Sequence, residues 1–225
     1  TETNFITKYL LLKINHNIEE KFKREKKYFN FKGIKVSDLS TGCLALRKKV
    51  LKNIKFNESY RHAGGEEFEM GSRLIDKHEI FYSPKIRVFH KFENIIITLK
   101  RILFRSINYA VLVFNYKSFQ NKSLNKSNEA VVPRRDILSS FIITFLLISF
   151  LGVIINIKFL FLVLLGLTLF FINNFKLFLY IKNNLNFISM FKSYFVQLAI
   201  TLANTIGIMI AILLVYLIGY KRYKY

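Results

Sequence analysis

No acidic residue follows Asp136, and long runs of Phe, Leu and Ile fill the rest of the chain. An α-helix rises 1.5 Å per residue, so about 20 consecutive apolar residues cross the hydrocarbon core of a bilayer. Three segments approach or exceed that length, namely Ile137–Ile157, Phe159–Tyr180 and Tyr194–Tyr220. The sequence therefore predicts that residues 136–225 form an all-α transmembrane domain with about three hydrophobic helices.

Most of the positive charge precedes that domain. Of 35 Lys and Arg residues, 28 lie at or before Arg135, and the formal net charge of the chain is +21. The adjacent membrane makes anionic lipid headgroups the expected partner, since each juxtamembrane Lys or Arg gains about 1 kcal/mol at that surface. Nucleic acid is not an expected partner, because the aromatic residues cluster in the apolar segments instead of interleaving with a basic patch.

The basic residues around the apolar segments give an ambiguous topology. Arg134 and Arg135, the loop 176–192 and the tail 221–225 all favour the cytoplasmic side. Three spans cannot place all of them there, so either the tail lies outside or one candidate span is re-entrant or interfacial. Cys43 is the single cysteine, which excludes an intramolecular disulfide and agrees with a reducing compartment. We expect a multi-pass protein of the cell membrane whose catalytic part is cytoplasmic.

Residues 93–135 join the polar and the apolar parts. The segment 94–119 is rich in apolar residues, but Lys100, Arg101 and Arg105 interrupt any run that could span a membrane. Helices of this composition lie along the membrane surface, with basic side chains among the headgroups. We predict amphipathic interfacial helices here, followed by a polar linker.

Residues 1–92 alternate between helical and extended patterns. Leu44 and Leu46 alternate as in a buried strand, whereas apolar positions after Glu66 recur at helical spacing. The patterns predict, in chain order, an amphipathic helix over 5–14 that continues into a charged stretch, a strand over 41–47, a short basic helix over 47–52, a helix over 66–78 and an extended segment over 80–90.

The residues best suited to chemistry begin within the segment GGEEFEMGSRL, Gly64–Leu74. Two glycines lead into adjacent carboxylates, Glu66 and Glu67, at the start of the predicted helix. His90 ends the extended segment roughly 20 residues later. This layout suits a site in which a carboxylate acts as a general base and an imidazole binds a metal ion.

Each of these residues also has a simpler interpretation. Acidic residues in the first turn of a helix, such as Glu66 and Glu67, complement the helix dipole. A single histidine such as His90 is often structural, and Gly42, in the cluster Ser40–Cys43, is ordinarily a turn glycine. The residue types alone leave these alternatives open.

Four segments in order carry a resemblance to a known family. They are STGCLALRKKVL from Ser40, KFNESY from Lys55, GGEEFEMGSRL from Gly64 and IFYSPKIRVFH from Ile80. The series resembles the acceptor-side half of family 2 glycosyltransferases with the GT-A fold, over roughly residues 36–92. Those enzymes have a small-residue cluster followed by Arg, a Phe-Asp-Glu-like turn, a Gly-Glu-Asp-x-Glu helix start and a Pro-x-x-x-Val-x-His strand.

The resemblance implies a fold and an activity. Residues 1–92 would form a partial α/β domain of the GT-A type, followed by the interfacial helices and the transmembrane domain. As in the membrane-bound branch of that family, the reaction would be an inverting transfer of a sugar from a nucleotide-sugar donor. The acceptor would be membrane-associated, either lipid-linked or a polysaccharide.

The resemblance also implies roles for single residues. Glu67 matches the catalytic base, which is usually Asp; the extra methylene moves the carboxylate by about 1 to 1.5 Å, a shift large enough to affect the rate. Glu66 matches the preceding acid, and Gly42 and Arg47 match residues near the acceptor pocket. His90 matches a ligand of the divalent metal, Mn²⁺ or Mg²⁺, and an imidazole ligand favours Mn²⁺.

The family's nucleotide-binding strands and Asp-x-Asp motif would precede Thr1, and the sequence contains no Asp-x-Asp. We therefore expect a C-terminal fragment that carries the base and the acceptor surface, lacks most of the donor site and is inactive alone. Two other classes are open. One is a non-catalytic basic module anchored in a membrane. The other is a small transporter subunit, for which Asn204 and Gly207 in the last apolar segment would mark the pathway.

Overall fold

The structure is a computed structural model that describes residues 4–25, 34–36, 44–52, 54–56, 66–74, 77–82, 94–115 and 133–219. About 85% of these described residues are helical. In chain order the elements are α1 (Phe5–Glu25), β1 (Ile34–Val36), α2 (Lys48–Leu51), α3 (Glu66–Leu74), β2 (Ile80–Tyr82), α4 (Ile95–Asn115), α5 (Arg134–Ile155), a 3₁₀ turn (Ile157–Phe159), α6 (Leu160–Asn184) and α7 (Phe187–Tyr216).

The chain divides into two compact units. The first contains Thr1–Lys21, Lys91–Ile102 and Val132–Ile206, and the second contains Phe22–His90, Leu103–Val131 and Gly207–Tyr225. The helices α4 and α7 each contribute to both units.

Three helices are long and apolar enough to cross a membrane, namely α5, the segment from the 3₁₀ turn through α6, and α7. This confirms the three predicted apolar helices. Their faces also carry many exposed large side chains, such as Phe150, Phe161 and Ile172. Exposed apolar faces of this extent are what lipid-facing helices require.

In the first unit, α5 and α6 pack antiparallel. At one end Asn174 Nδ2 donates to Ser139 Oγ at 3.0 Å, and at the other end the ring of Phe159 covers Gly152. Between them the backbones approach closely at Gly166, where a Cβ would collide with the side chain of Leu146. Such small-residue contacts are the usual basis of helix packing in membranes.

The helix α7 returns along α6. Gln197 Nε2 donates to Asn174 Oδ1 at 3.3 Å, and Tyr194 packs edge-on against Phe170. The start of α5, the end of α6 and the start of α7 therefore share one end of the bundle. This arrangement brings Arg134 and Arg135 to the same end as Lys176, Lys182 and Lys192, as a common placement on one side of the membrane requires. The predicted loop 176–192 is wrong, because α6 continues to Asn184 and α7 begins at Phe187. The tail 221–225 lies outside the described residues.

The helix predicted over 5–14 is confirmed and is longer, since α1 extends from Phe5 to Glu25. Within the first unit its buried residues Tyr9 and Leu10 pack in one cluster with Leu177, Ile181 and Ile200. The charged stretch that follows residue 14 is therefore part of a helix that begins against the bundle.

Polar side chains from α1 continue a buried network inside the first unit. The Tyr9 hydroxyl donates to Gln197 Oε1, and Lys13 Nζ donates to the same oxygen at 3.1 Å. Lys13 also lies 3.4 Å from Asp136, whose carboxylate accepts from Arg135. Burial lowers the pKa of Lys13, while the carboxylate of Asp136 opposes that shift. The network satisfies polar groups that would otherwise be costly among apolar helices.

The second unit has a small core around α2 and α3. Val50 and Ile54 pack against Met70 and Leu74, and Ile80 covers the same cluster. The helices predicted over 47–52 and 66–78 are confirmed as Lys48–Leu51 and Glu66–Leu74.

Strands are scarce among the described residues. β1 and β2 form one antiparallel pair in which Lys35 lies opposite Phe81. β2 confirms the start of the predicted extended segment, whereas β1 was not predicted. The strand predicted over 41–47 is wrong for residues 44–47, which belong to no ladder there. Leu44 and Leu46 alternate because both reach the Met70 cluster from an irregular segment, and burial alone does not make a strand. No larger sheet of the GT-A type appears among the described residues.

Also in the second unit, α4 runs alongside α7 in the same direction. A Cβ at Gly207 would lie 2.8 Å from the Leu103 carbonyl oxygen and 2.8 Å from Ser106 Cβ. Farther along both helices, the rings of Phe114 and Tyr216 meet at 5.9 Å. The predicted position of the segment 94–119 along the membrane surface stays a prediction.

Candidate active site

The helix α3 presents three glutamates in its first turn, Glu66, Glu67 and Glu69. Carboxylates at this end complement the partial positive charge of the helix dipole, which explains why an acidic sequence starts the helix. Met70 and Leu74, which follow Glu67 at i+3 and i+7 on the same face of α3, are fully buried in the core of the second unit. This packing fixes the rotation of α3 and hence the direction of its glutamate side chains.

Glu69 has a structural role. Its side chain is 1% exposed, and Arg73, one turn later, donates to both carboxylate oxygens, at 2.6 and 2.9 Å. The same guanidinium donates to the Lys55 backbone carbonyl at 2.7 Å. The i,i+4 spacing favours this pair, and the guanidinium engages both oxygens of the carboxylate.

Glu67 differs from Glu69 in its partners. It is also buried, with 5% of its surface exposed, but only Oε1 accepts a hydrogen bond, from Arg105 of α4 at 2.5 Å. Within the part of the chain that the structure describes, Oε2 of Glu67 has no hydrogen-bond partner. A buried carboxylate oxygen without a partner is costly, and such atoms occur where a substrate or catalytic step uses them.

The electrostatic surroundings of Glu67 make its carboxylate a stronger proton acceptor than that of an ordinary glutamate. Burial raises the pKa of Glu67 above the ordinary glutamate value, and the neighbouring carboxylate of Glu66 acts in the same direction. The Arg105 guanidinium opposes that rise. A general base is most effective when its pKa lies close to the working pH, and this combination moves Glu67 toward that condition.

The remaining predicted site residues are only partly described. Arg47 is exposed and caps the start of α2, where its carbonyl accepts from Val50 N at 2.8 Å. Val50, three residues after Arg47, packs in the same cluster as Met70, three residues after Glu67. Gly42 and His90 lie outside the described residues, so the predicted convergence of Gly42, Glu67 and His90 on one cleft stays a prediction.

The described residues contain no group of three or more His, Cys, Asp or Glu side chains that could hold a metal ion. The expected metal ligand, His90, is not among them. The divalent metal therefore stays an expectation that comes from the sequence.

Sequence reasoning missed the partnership of Glu67 with Arg105. It assigned Arg105 to headgroups or to a lipid-linked phosphate, because the residue lies in a mixed apolar and basic helix. The two residues are 38 positions apart in the chain. Only the opposite charges could have indicated the pair, and many other basic residues offered the same signal.

Comparison of the chain with models of protein families, with curated proteins and with solved structures finds no match. The resemblance to family 2 glycosyltransferases is therefore carried by the ordered sequence motifs. The geometry of Glu67 is independent of it.

Proposed function

We propose that this protein contributes the catalytic base and the acceptor side of a membrane-bound, inverting glycosyltransferase. The observation that carries the proposal is the Glu67 carboxyl, which is buried, bound through one oxygen and without a described partner at the other. It occurs at the residue that the motif order matches to the family's base. Two independent lines, motif position and local geometry, thus point to the same side chain.

The chemistry assigned to Glu67 is the removal of one proton. The acceptor hydroxyl oxygen attacks the anomeric carbon of the donor sugar while the bond from that carbon to the nucleoside diphosphate breaks. The hydroxyl proton passes to Glu67 Oε2, and the leaving diphosphate keeps the electron pair of the broken bond. A base in hydrogen-bond reach supplies on the order of 10² to 10⁴ in rate for such a step.

A divalent metal fits this reaction as a Lewis acid for the diphosphate, and His90 is the residue of this chain proposed to bind it. Gly42 and Arg47 are proposed to line the acceptor pocket, and Glu66 to tune the charge at Glu67. Most of the donor site is proposed to come from a nucleotide-binding half that is joined to this segment.

The position of Arg105 supports a membrane-associated acceptor. The residue belongs to the same turns of α4 that contact α7 at Gly207, and α7 is a candidate membrane span. Glu67 is thereby connected, through one ion pair, to a helix packed on a candidate span. An acceptor held at a bilayer, either lipid-linked or a growing glycan, would reach such a base more readily than one diffusing in bulk water.

The proposal is tested by activity of the full-length protein in membrane vesicles. A panel of UDP-, GDP- and TDP-linked sugars is supplied with Mn²⁺ or Mg²⁺, and release of the nucleoside diphosphate is measured with and without a polyprenyl phosphate or endogenous glycan acceptor. We expect acceptor-dependent release with at least one donor, lost when EDTA removes the metal. Absence of acceptor-dependent release across the panel would contradict the proposal.

The Glu67–Arg105 ion pair also favours a second candidate, a non-catalytic module anchored in the membrane. In that case the pair would only fasten α3 to α4, as Glu69 fastens α3 internally through Arg73. The unpaired Oε2 separates the two functions. A carboxylate that only joined two helices would gain from pairing both oxygens, whereas a base needs one oxygen left unpaired for the substrate. Neutralisation of Glu67 would then change stability but no reaction rate.

A further inference from the structure

Arg105 reaches Glu67 from another helix, and the two partners are unequally exposed. The Arg105 side chain is 55% exposed, whereas the Glu67 side chain is 7% exposed. A half-exposed cation adds little to folding stability, because solvent screens it and its side chain loses conformational entropy in the pair. The effect of the pair therefore falls mainly on the buried carboxylate of Glu67, whose charge the guanidinium compensates.

Residues that precede and follow Arg105 in α4 pack against α7. Gly207 of α7 touches Leu103 and Ser106, on either side of Arg105, and its missing Cβ allows this approach. Ala110 and Val111, one turn later, are buried with Ala211 of α7. The guanidinium is thus presented from a fixed stretch of helix, which is what a geometric role requires.

The charges that act on Glu67 are few among the described residues. Arg105 from α4 favours the ionised carboxylate, and Glu66 from the same helix disfavours it, as does burial. Arg105 is the favourable contribution that comes from outside α3. Without it, burial and Glu66 would both drive Glu67 toward the protonated form, which cannot act as a base.

We propose, resting on the function proposed above, that Arg105 is a positioning residue for the catalytic base. Its guanidinium holds Oε1 and keeps the buried carboxylate charged, so that Oε2 points away from the pair and is ready to take the acceptor proton. This role differs from a contact with a lipid-linked phosphate, because it acts on the base and not on the substrate. It also accounts for an ion pair in which only one carboxylate oxygen is used.

The test compares Arg105→Gln, Arg105→Lys and Lys77→Gln in the full-length enzyme in membrane vesicles. Lys77 is an exposed lysine just after α3. Lys77→Gln is therefore the control, since it removes one positive charge from the second unit, as Arg105→Gln does. Release of nucleoside diphosphate from the active donor of the UDP-, GDP- and TDP-sugar panel is followed from acidic to neutral pH, and kcat and the acceptor KM are obtained separately.

We expect Arg105→Gln to move the acidic limb of the kcat profile to higher pH. Its loss of rate should be largest at low pH and smallest where Glu67 is ionised in both proteins. Arg105→Lys should keep the limb near the wild-type position but lower kcat, because an ammonium keeps the charge without the guanidinium geometry. Lys77→Gln should match the wild type in the position of the acidic limb and in kcat.

If Arg105→Gln leaves the acidic limb of the kcat profile in place and raises the acceptor KM, the inference is overturned and Arg105 is assigned to substrate binding. If the limb, kcat and the acceptor KM are all unchanged, the inference is overturned as well. If Arg105→Gln does not fold, Arg105→Lys decides, since a raised acceptor KM at unchanged kcat contradicts positioning. Wild-type turnover in Glu67→Gln would instead reject the proposed function itself, so the two failures are distinguishable.

Discussion

The ammonium group of Lys13 lies 3.4 Å from a carboxylate oxygen of Asp136, and both side chains are largely buried. Lys13 belongs to α1, and Asp136 belongs to the first turn of the first candidate span. The pair therefore connects the polar amino-terminal helix to the membrane bundle of the first unit. Arg135 extends the connection by donating to Asn17 at 2.9 Å.

Asp136→Asn should destabilise the first unit, because it leaves the buried ammonium of Lys13 without its counter-charge. Removal of one partner of a buried ion pair costs about 3 to 5 kcal/mol. Thermal unfolding in detergent micelles should show a lower Tm. Glu19→Gln is the matched control, since Glu19 is an exposed carboxylate of α1 that accepts from Tyr180, and its loss should change the Tm little. Equal Tm values for the two variants would contradict the structural role of the Lys13–Asp136 pair.

Gly207→Ala should loosen the contact between α4 and α7. The added methyl group would lie 2.8 Å from both the Leu103 carbonyl oxygen and Ser106 Cβ, so the helices must move apart. Overpacking of this kind costs about 1 to 3 kcal/mol. The free energy of unfolding of the full chain should fall accordingly, whereas Met209→Leu on an exposed face of α7 should leave it nearly unchanged. If both variants unfold like the wild type, the close approach at Gly207 is not present in solution.

The activity should be lost on acidification at a higher pH than an exposed glutamate would give. In the proposed function, Glu67 acts as a base in its ionised form. Burial raises its pKa, so protonation should remove activity as pH falls through that raised value. The same shift affects folding. The folded chain holds this proton more tightly than the unfolded chain, so the contribution of Glu67 to stability falls as pH rises between the ordinary and the raised pKa. A kcat profile measured on the active donor should show this limb, and a limb at the ordinary glutamate pKa would contradict the account.

Periodicity predicted the helical elements well, because it reports which face of a segment is buried. The three apolar helices, the amphipathic helix α1 and the helix starting at Glu66 all follow from it. It failed at Leu44 and Leu46, since alternate burial against Met70 arises there without a neighbouring strand. Strand pairing depends on a partner elsewhere in the chain, as β1 and β2 illustrate, and a local pattern does not identify that partner.

The candidate site was predictable in part for a similar reason. The motif around Glu67 is local, so the sequence identified the carboxylate and its place at a helix start. Its partner Arg105 comes from a distant helix, and its selection among 35 basic residues depends on how α4 packs. Glu67 and Glu69 are the same residue type on one helix. The i,i+4 spacing indicates Arg73 as the partner of Glu69, whereas only the packing shows the single-oxygen contact of Glu67.

Glu67→Gln in the full-length protein tests the central claim most directly. Glutamine keeps the size of the side chain but cannot accept a proton, so the substitution removes general-base catalysis. The turnover number for sugar transfer should fall on the order of 10² to 10⁴-fold while the folded fraction is retained. Glu69→Gln is the matched control on the same helix; loss of the Arg73 pair should lower its Tm but leave the turnover of the folded enzyme close to wild type. Wild-type turnover in Glu67→Gln would show that this carboxylate only fastens α3 to α4, and the catalytic account would be wrong.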